Sequence, residues 1–514
     1  MAKRVLIADR LHITDRNFKS LITYLRRAGY EMHAIEHPEG LLTAFGHYED
    51  REEIAPYLER MADWSEAQLR ALSINGFNAF SIARAELMSR LAPLPHWTDT
   101  EHYGVDGDDL LARLYQTDRA ALVENFAATW YWMDRWLEIM RSLPPMNIAL
   151  VFSGSLIYAR AFSCIMQRRQ GQLYVCESFF TGQDYYLEAR HSPLPNDSLL
   201  GAPGLYGSIE IATQGGKRRG DRAALMERLD RRSNKNVKQP EHDGEPLFQN
   251  SEKQVVILGQ VVNDFSLLNH GETGFHSIAF YRNCIRALLR DTSANIVFKA
   301  HPWEQKKANV GRALTRELIE AEFPGQEERL RIVEDYSLEH LLDSADFVIG
   351  VNSQGLLEAA LAGIKPIQVG KAFFGRKGFT LDDLTVSQIV ETVNSLPGSY
   401  LSLPEYAALE DFFLKALNTW LVPEVEKEGI ERLIRILGPL PKSAAVPVKP
   451  ASKPATTSVP KKAPATELLV PDNPVASRES ATTRKIRKFR QNPYAFFRDA
   501  NSPLLRSVAR LIAH

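Results

Sequence analysis

Short apolar runs that end in polar loops alternate along most of this chain with stretches whose apolar residues recur at helical spacing. Residues 4–9 (RVLIAD) form such a run; Phe18, Leu21, Ile22 and Leu25 then share one helix face, and Gly29 supplies the stop. A second strand is predicted over residues 30–35. A strand, a helix and a further strand close most readily as a parallel pair, so this opening predicts a parallel sheet. Its first turn lacks GxGxxG, which argues against a dinucleotide at that point.

Residues from about 41 to 141 are rich in helix formers and carry Trp64, Trp97, Trp130, Trp132 and Trp136, a pattern that predicts a helical insertion. Strands are expected again at 147–152 (NIALVF) and 173–176, separated by a helix, and 1–212 reads as one Rossmann-like lobe. Residues 213–253 are polar, with Gly215-Gly216, a Lys/Arg cluster and Pro240, and read as a connection between lobes. A second lobe is predicted over 254–438. Its strands are 254–258, 295–299, 331–333, 347–351 and 366–369, with helices near 338–342 and 356–361 and helical patterns from 386 to 437 closing it. Beyond Gly438 the chain turns to Pro, Ala, Lys, Ser and Thr, so 439–483 is expected to be a disordered linker.

At 514 residues the chain is long enough for two or three domains, and 44% apolar with 24% charged residues is ordinary for a globular protein. A formal net charge of -1 argues against a general polyanion binder, and no nucleic-acid partner is expected. Cys164, Cys176 and Cys284 are odd in number and lack CxxC spacing, which suggests neither a disulfide framework nor a zinc site and fits a reducing cytoplasm. The N-terminus lacks the features of a signal peptide, and no uncharged apolar stretch reaches the roughly 18 residues of a membrane span. The expectation is a cytoplasmic protein whose membrane contact, at the inner membrane, is peripheral.

Ligands of open α/β sheets bind outside the carboxyl ends of strands, so the polar residues that follow each second-lobe strand are the first candidates. After 254–258 come Gln260 and Asp264; the latter is a candidate base or nucleophile, although a loop Asp is more often a helix cap or turn former. At the end of 295–299 and just after it come Lys299, His301, Pro302 and Glu304. Proline biases His301 toward an extended conformation, from which its imidazole can protonate or hydrogen-bond a leaving phosphate. After 347–351 come Asn352, Ser353, Gln354, Gly355 and Glu358, where a strand enters a helix through small polar residues. Such a turn suits a phosphate with Glu358 on ribose hydroxyls, or is an ordinary capping box. There is neither a paired DxD nor GxxxxGK[ST], so a metal-independent transferase fits better than an NTPase.

In order, the strings GQVVNDFSL, FKAHPWE and VNSQGLLEAALAGIKPIQVGKAFFGRKGFT resemble the signature of the capsular polysaccharide synthesis family of β-Kdo transferases. The resemblance covers roughly residues 147–380 and is strongest after Gln254. It implies a GT-B fold, two facing Rossmann-like lobes, and CMP-Kdo as donor, with no cofactor beyond that co-substrate and no metal. By position, Asp264 matches the family's catalytic carboxylate region and His301-Pro302 its His-Pro motif at the CMP phosphate. Ser353, Gly355 and Glu358 match its nucleotide-binding turn and helix, and Gln260, Lys299, Asn352 and Gln354 complete the expected donor-binding set. The segment from Cys176 through Asn196 resembles a family loop after a first-lobe strand, which makes Glu177 an acceptor-side candidate. Retention at β-linked Kdo would make Asp264 the nucleophile. Departures are Asn263-Asp264 where some branches have two adjacent acids, Ser178 where glycine is frequent, and one set of motifs where long relatives have two.

The expected function is therefore transfer of Kdo or a related acidic sugar to a glycolipid or polysaccharide acceptor. Two alternatives stay open: a non-catalytic capsule assembly or export factor, and a GT-B transferase using a UDP or GDP sugar. Residues 484–514 mix Arg484, Lys485, Arg487, Lys488 and Arg490 with Phe489, Tyr494, Phe496 and Phe497, and run on through Arg498 and Arg506 to Arg510. They resemble a tail found on various bacterial surface-polysaccharide enzymes. Basic residues beside aromatics suit an anionic membrane surface, and capsule assembly or export proteins are the other partners considered.

Overall fold

The structure, a computed structural model, describes residues 3–99, 107–211, 218–230, 246–271, 274–307 and 309–440. The expected linker and basic tail lie outside the described residues.

The first sheet begins with β1 (Lys3–Ile7), helix α1 (Lys19–Arg27) and β2 (Tyr30–Ala34), paired in parallel. The insertion follows and includes α2 (Ala79–Leu91) and α3 (Arg119–Ser142). The sheet then resumes with β3 (Ile148–Phe152), α4 (Ile157–Arg168), β4 (Leu173–Ser178) and β5 (Asp184–Ala189), the last antiparallel to β4. The second sheet is parallel throughout. Its strands are β6 (Gln254–Leu258), β7 (Asn295–Lys299), β8 (Leu330–Val333), β9 (Phe347–Gly350), β10 (Ile367–Gln368) and β11 (Leu381–Asp382), in the spatial order β8-β7-β6-β9-β10-β11. Every residue of β6 and β7 is buried, as a parallel strand covered on both faces requires. The strand order reverses between β6 and β9, and a crevice opens at the carboxyl ends of strands at such a switch point.

The closing segment corrects the expectation that 254–438 forms one lobe. Helix α5 (Gly355–Leu361) follows β9 in the second lobe, and α6 (Leu403–Lys415) touches both lobes, Phe412 meeting Phe373 and Phe413 meeting Phe180, but β12 (Val422–Pro423) pairs with β5 in the first sheet. Helix α7 (Glu426–Leu437) then lies on α1. Ser20 Oγ donates to Pro423 O at 2.8 Å and Tyr24 OH to Gly438 O at 2.7 Å. Gly429 permits the approach, since a Cβ there would run into the Pro423 carbonyl and the Ser20 side chain.

Within the polar connection expected over 213–253, residues Arg218–Asp230 form a helix whose Leu225 and Leu229 are buried and whose Arg228 pairs with the buried Asp184. The tryptophans of the insertion serve packing first. Trp97, Trp132 and Trp136 are wholly buried; Trp136 Nε1 donates to Tyr158 O at 2.8 Å, and Trp97 Nε1 to Asp118 at 2.9 Å. The insertion also fastens the two lobes together. Asn263 Nδ2 donates to Ser89 O (2.9 Å), Asn309 Nδ2 to Phe45 O (3.0 Å) and His276 Nε2 to Trp97 O (2.8 Å). Among the described residues no helix is long and apolar enough to cross a membrane.

Candidate active site

A cavity of about 780 Å³ lies between the lobes. Loops after β6, β7 and β9 line it from one side, loops after β1, β3 and β4 from the other. Gln260, Asp264, Lys299, His301 and Pro302 all reach it, as do Ser353, Gln354, Gly355 and Glu358. Glu177 faces them from the first lobe. Of the sequence candidates, Asn352 and Glu304 do not line the space; Asn352 is wholly buried beneath.

Asp264 is both cap and cavity residue. It is the N-cap of the short helix Phe265–Leu268, its Oδ1 accepting from Ser266 N–H at 2.8 Å. Its Oδ2 has no partner among the described residues and remains available to a ligand. His301 has a defined tautomer. Trp303 N–H donates to Nδ1 at 3.2 Å, which needs a lone pair there, so the neutral ring carries its proton on Nε2. Burial takes its pKa down to about 4; Asp264 opposes this, and Lys299 and Lys307 reinforce it. The imidazole of the ligand-free protein is therefore a neutral hydrogen-bond donor near pH 7. Protonation of a leaving phosphate, one of the two roles expected for it, is not what this environment favours.

Lys299 Nζ donates to Glu334 O at 2.6 Å and to Ala300 O at 3.3 Å, and burial lowers its pKa to about 8 against the pull of Glu334 and Asp335. Lys307, which sequence reasoning missed, adds a second ammonium to the same wall; burial lowers its pKa too, while Asp264 and Glu304 raise it. Glu304 is not a cavity residue. Its carboxylate accepts from Val262 N, Thr315 N and Thr315 Oγ1 at 3.0, 2.7 and 2.7 Å and so ties the β6 and β7 loops to the next helix.

Gln260 and Asn352 hold each other across the switch point. Gln260 Nε2 donates to Asn352 Oδ1 at 2.8 Å and Asn352 N–H returns a bond to Gln260 Oε1 at 3.1 Å, while Asn352 Nδ2 donates to Ser266 O at 3.0 Å. Both amides were expected to bind donor. Their polar atoms are spent on positioning the loops that carry Asp264 and Ser353. Truncating Asn352→Ala strands the buried Gln260 amide, a loss of about 2–4 kcal/mol summed over the severed bonds, readable by urea unfolding. Ser353 Oγ accepts from Gly355 N–H at 3.2 Å, and Gln354 Oε1 accepts from Phe180 N–H of the first lobe at 3.3 Å.

The first-lobe wall was largely missed. Ser153 and Gly154 follow β3 in left-handed conformations, φ 57° and 81°, and turn the chain into the cavity. Glu177, at the end of β4, has its pKa pushed up to about 7 by burial, with Asp264 adding to the rise and hydrogen bonds from Ser153 and Ser178 N–H and the charge of His12 opposing it. His12 and Arg16 come from the loop after β1, and Asn196 donates across the cleft to Asn352 O at 2.8 Å. The strand-end rule that picked out the second-lobe loops would have flagged Asp9 and His12 had it been applied after β1.

Fold and site together define the class: a GT-B-type protein, two Rossmann-like lobes facing each other across a cleft, with the last helix returned to the first lobe. Residues 219–397 match the family described as capsule polysaccharide biosynthesis protein. No curated protein matches the chain. Similar solved structures include Thermosulfurimonas dismutans KpsC, titled a beta Kdo 2,4 transferase, at 16% identity over 56% of this chain and 87% of that one, with a TM-score of 0.38. The same organism's KpsC titled a beta Kdo 2,7 transferase matches at 14% identity over 59% and 89%, TM-score 0.34. The glycosyltransferase SnogD from Streptomyces nogalater matches at 13% identity over 84% and 100%, TM-score 0.27.

Proposed function

We propose that this protein is a glycosyltransferase of capsule polysaccharide biosynthesis that moves Kdo, or a related acidic sugar, from a CMP donor to a glycolipid or polysaccharide acceptor. The observation that carries the reading is the convergence of Asp264, His301 and the Ser353–Glu358 turn on one interlobe cavity. His301 Nε2–H and the ammonium groups of Lys299 and Lys307 supply positive potential for a phosphate without requiring a metal. Asp264 Oδ2 forms a bond to the anomeric carbon as the bond from that carbon to the phosphate oxygen breaks, and the electron pair leaves on CMP. The acceptor hydroxyl then displaces Asp264, and the two inversions give net retention.

The test is incubation of freshly generated CMP-Kdo with an envelope glycolipid extract. Wild type is expected to release CMP and label the extract; His301→Ala is expected to lose about 10²–10³-fold in turnover, as removal of a transition-state donor does elsewhere. Equal turnover by the variant would refute the phosphate role. Binding of CMP-Kdo without turnover would favour an assembly factor, and thermal stabilisation by UDP or GDP sugars in preference to CMP would replace the donor.

The basic tail completes the proposal as a peripheral tether to the bilayer that holds a lipid acceptor. Each Lys or Arg near an anionic surface contributes about 1 kcal/mol. The full chain should co-sediment with phosphatidylserine-containing vesicles and lose that behaviour when residues 484–514 are deleted. Unchanged sedimentation of the truncated chain would exclude the tether.

A further inference from the structure

The loop after β1 holds an acid–imidazole pair that the donor chemistry leaves unused. Asp9 is wholly buried, and its Oδ1 is committed to one neighbour, accepting from His12 N–H at 2.7 Å and from His12 Nδ1 at 3.1 Å. Oδ2 accepts from Tyr158 OH at 2.8 Å. The His12 ring also stacks on Phe152, with centroids 4.8 Å apart and planes within 5°. Two independent contacts therefore set one ring orientation. With Nδ1–H given to a carboxylate, Nε2 is the basic nitrogen, and among the described residues it has no protein partner. The side chain lines the interlobe cavity, opposite the loops of Asp264 and His301.

We infer that His12, oriented by Asp9, is the general base that deprotonates the acceptor hydroxyl. This rests on the donor reading above. In the second half-reaction the acceptor oxygen bonds to the anomeric carbon, the bond from that carbon to Asp264 breaks and returns its electron pair to the carboxylate, and the hydroxyl proton passes to His12 Nε2. Asp9 stabilises the imidazolium that forms. Glu177, the carboxyl group on this wall, is less suited to the task, because burial favours its keeping a proton. The groups facing His12 are Asp9 on its own loop, Tyr158 on α4 and Glu177 on β4.

The experiment separates the two half-reactions. Enzyme in excess is mixed with radiolabelled CMP-Kdo and an envelope glycolipid extract, and CMP release and label transfer are followed in one turnover. His12→Gln keeps a side-chain amide for Asp9 but takes no proton. In that variant and in His12→Ala, transfer should fall about 10²–10⁴-fold, the range for loss of a general base, with CMP release falling far less. Added imidazole should restore part of the transfer in His12→Ala. Melting curves matching wild type keep a folding defect from being mistaken for this result. Transfer at the wild-type rate, or release and transfer falling in the same proportion without imidazole rescue, would overturn the assignment. A wild type that releases no CMP would instead overturn the donor reading, and with it this role.

Discussion

Asp264→Asn should reduce turnover by about 10³-fold or more while leaving the melting temperature where it is. The amide is isosteric with the carboxylate and caps a helix about as well, so the bond from Ser266 N–H to the side-chain oxygen survives. What disappears is the nucleophilic charge. Asp264→Ala removes cap and charge together and should cost about 1 kcal/mol of stability besides activity. The pair separates the two roles of the residue. If Asp264→Asn keeps wild-type turnover, the residue is a cap and nothing more; thermal melts and CMP release measured on the same preparations decide it.

Glu177→Gln should stabilise the protein in alkaline solution and leave its stability unchanged in acid. Burial lifts the folded-state pKa to about 7 from an ordinary value of 4.5. Below the lower value both folded and unfolded chains hold the proton, and the residue is neutral to stability. As pH rises between the two values the unfolded chain ionises and the folded one resists, so stability falls, and the full deficit is reached once pH passes the folded pKa. A pKa unit corresponds to about 1.4 kcal/mol, and allowing for partial solvent contact the deficit is about 2–3 kcal/mol. Denaturant unfolding at about pH 8 and about pH 4 reads it. A gain that is the same at both pH values would mean that the Glu177 carboxyl is not perturbed.

The second lobe was legible because parallel strands covered on both faces read as unbroken apolar runs. QVVIL and NIVFK fall on β6 and β7 to the residue. Strand β5 escaped because it buries Asp184 and Glu188, which rely on partners outside the strand, Arg228 for one and Ser198 and Trp420 for the other. Strands β11 and β12 are two residues each, too short to carry a period. The return of α7 to α1 depends on contacts between residues some four hundred positions apart, such as Tyr24 with Gly438, which no local pattern encodes.

The candidate site divides in the same way. Polar residues after recognisable strands, Asp264, His301 and Ser353, could be picked out from sequence and do meet in the cavity. Whether such a residue faces a ligand or another loop is a tertiary matter: Gln260 and Asn352 sit in equally suggestive positions but spend their amides on each other. On the first lobe, Asp9 and His12 stand close in sequence, but the bond from Tyr158 and the stacking on Phe152 that give the pair its orientation come from α4 and β3.

The most direct test of the whole account is a crystal structure grown with saturating CMP. The account places the nucleotide in the interlobe cavity, its phosphate within hydrogen-bonding distance of His301 Nε2 and its ribose against the Ser353–Glu358 turn, with Asp264 Oδ2 facing the position of the departing sugar. A nucleotide bound away from these residues, or a cleft that stays empty at saturation, would contradict it.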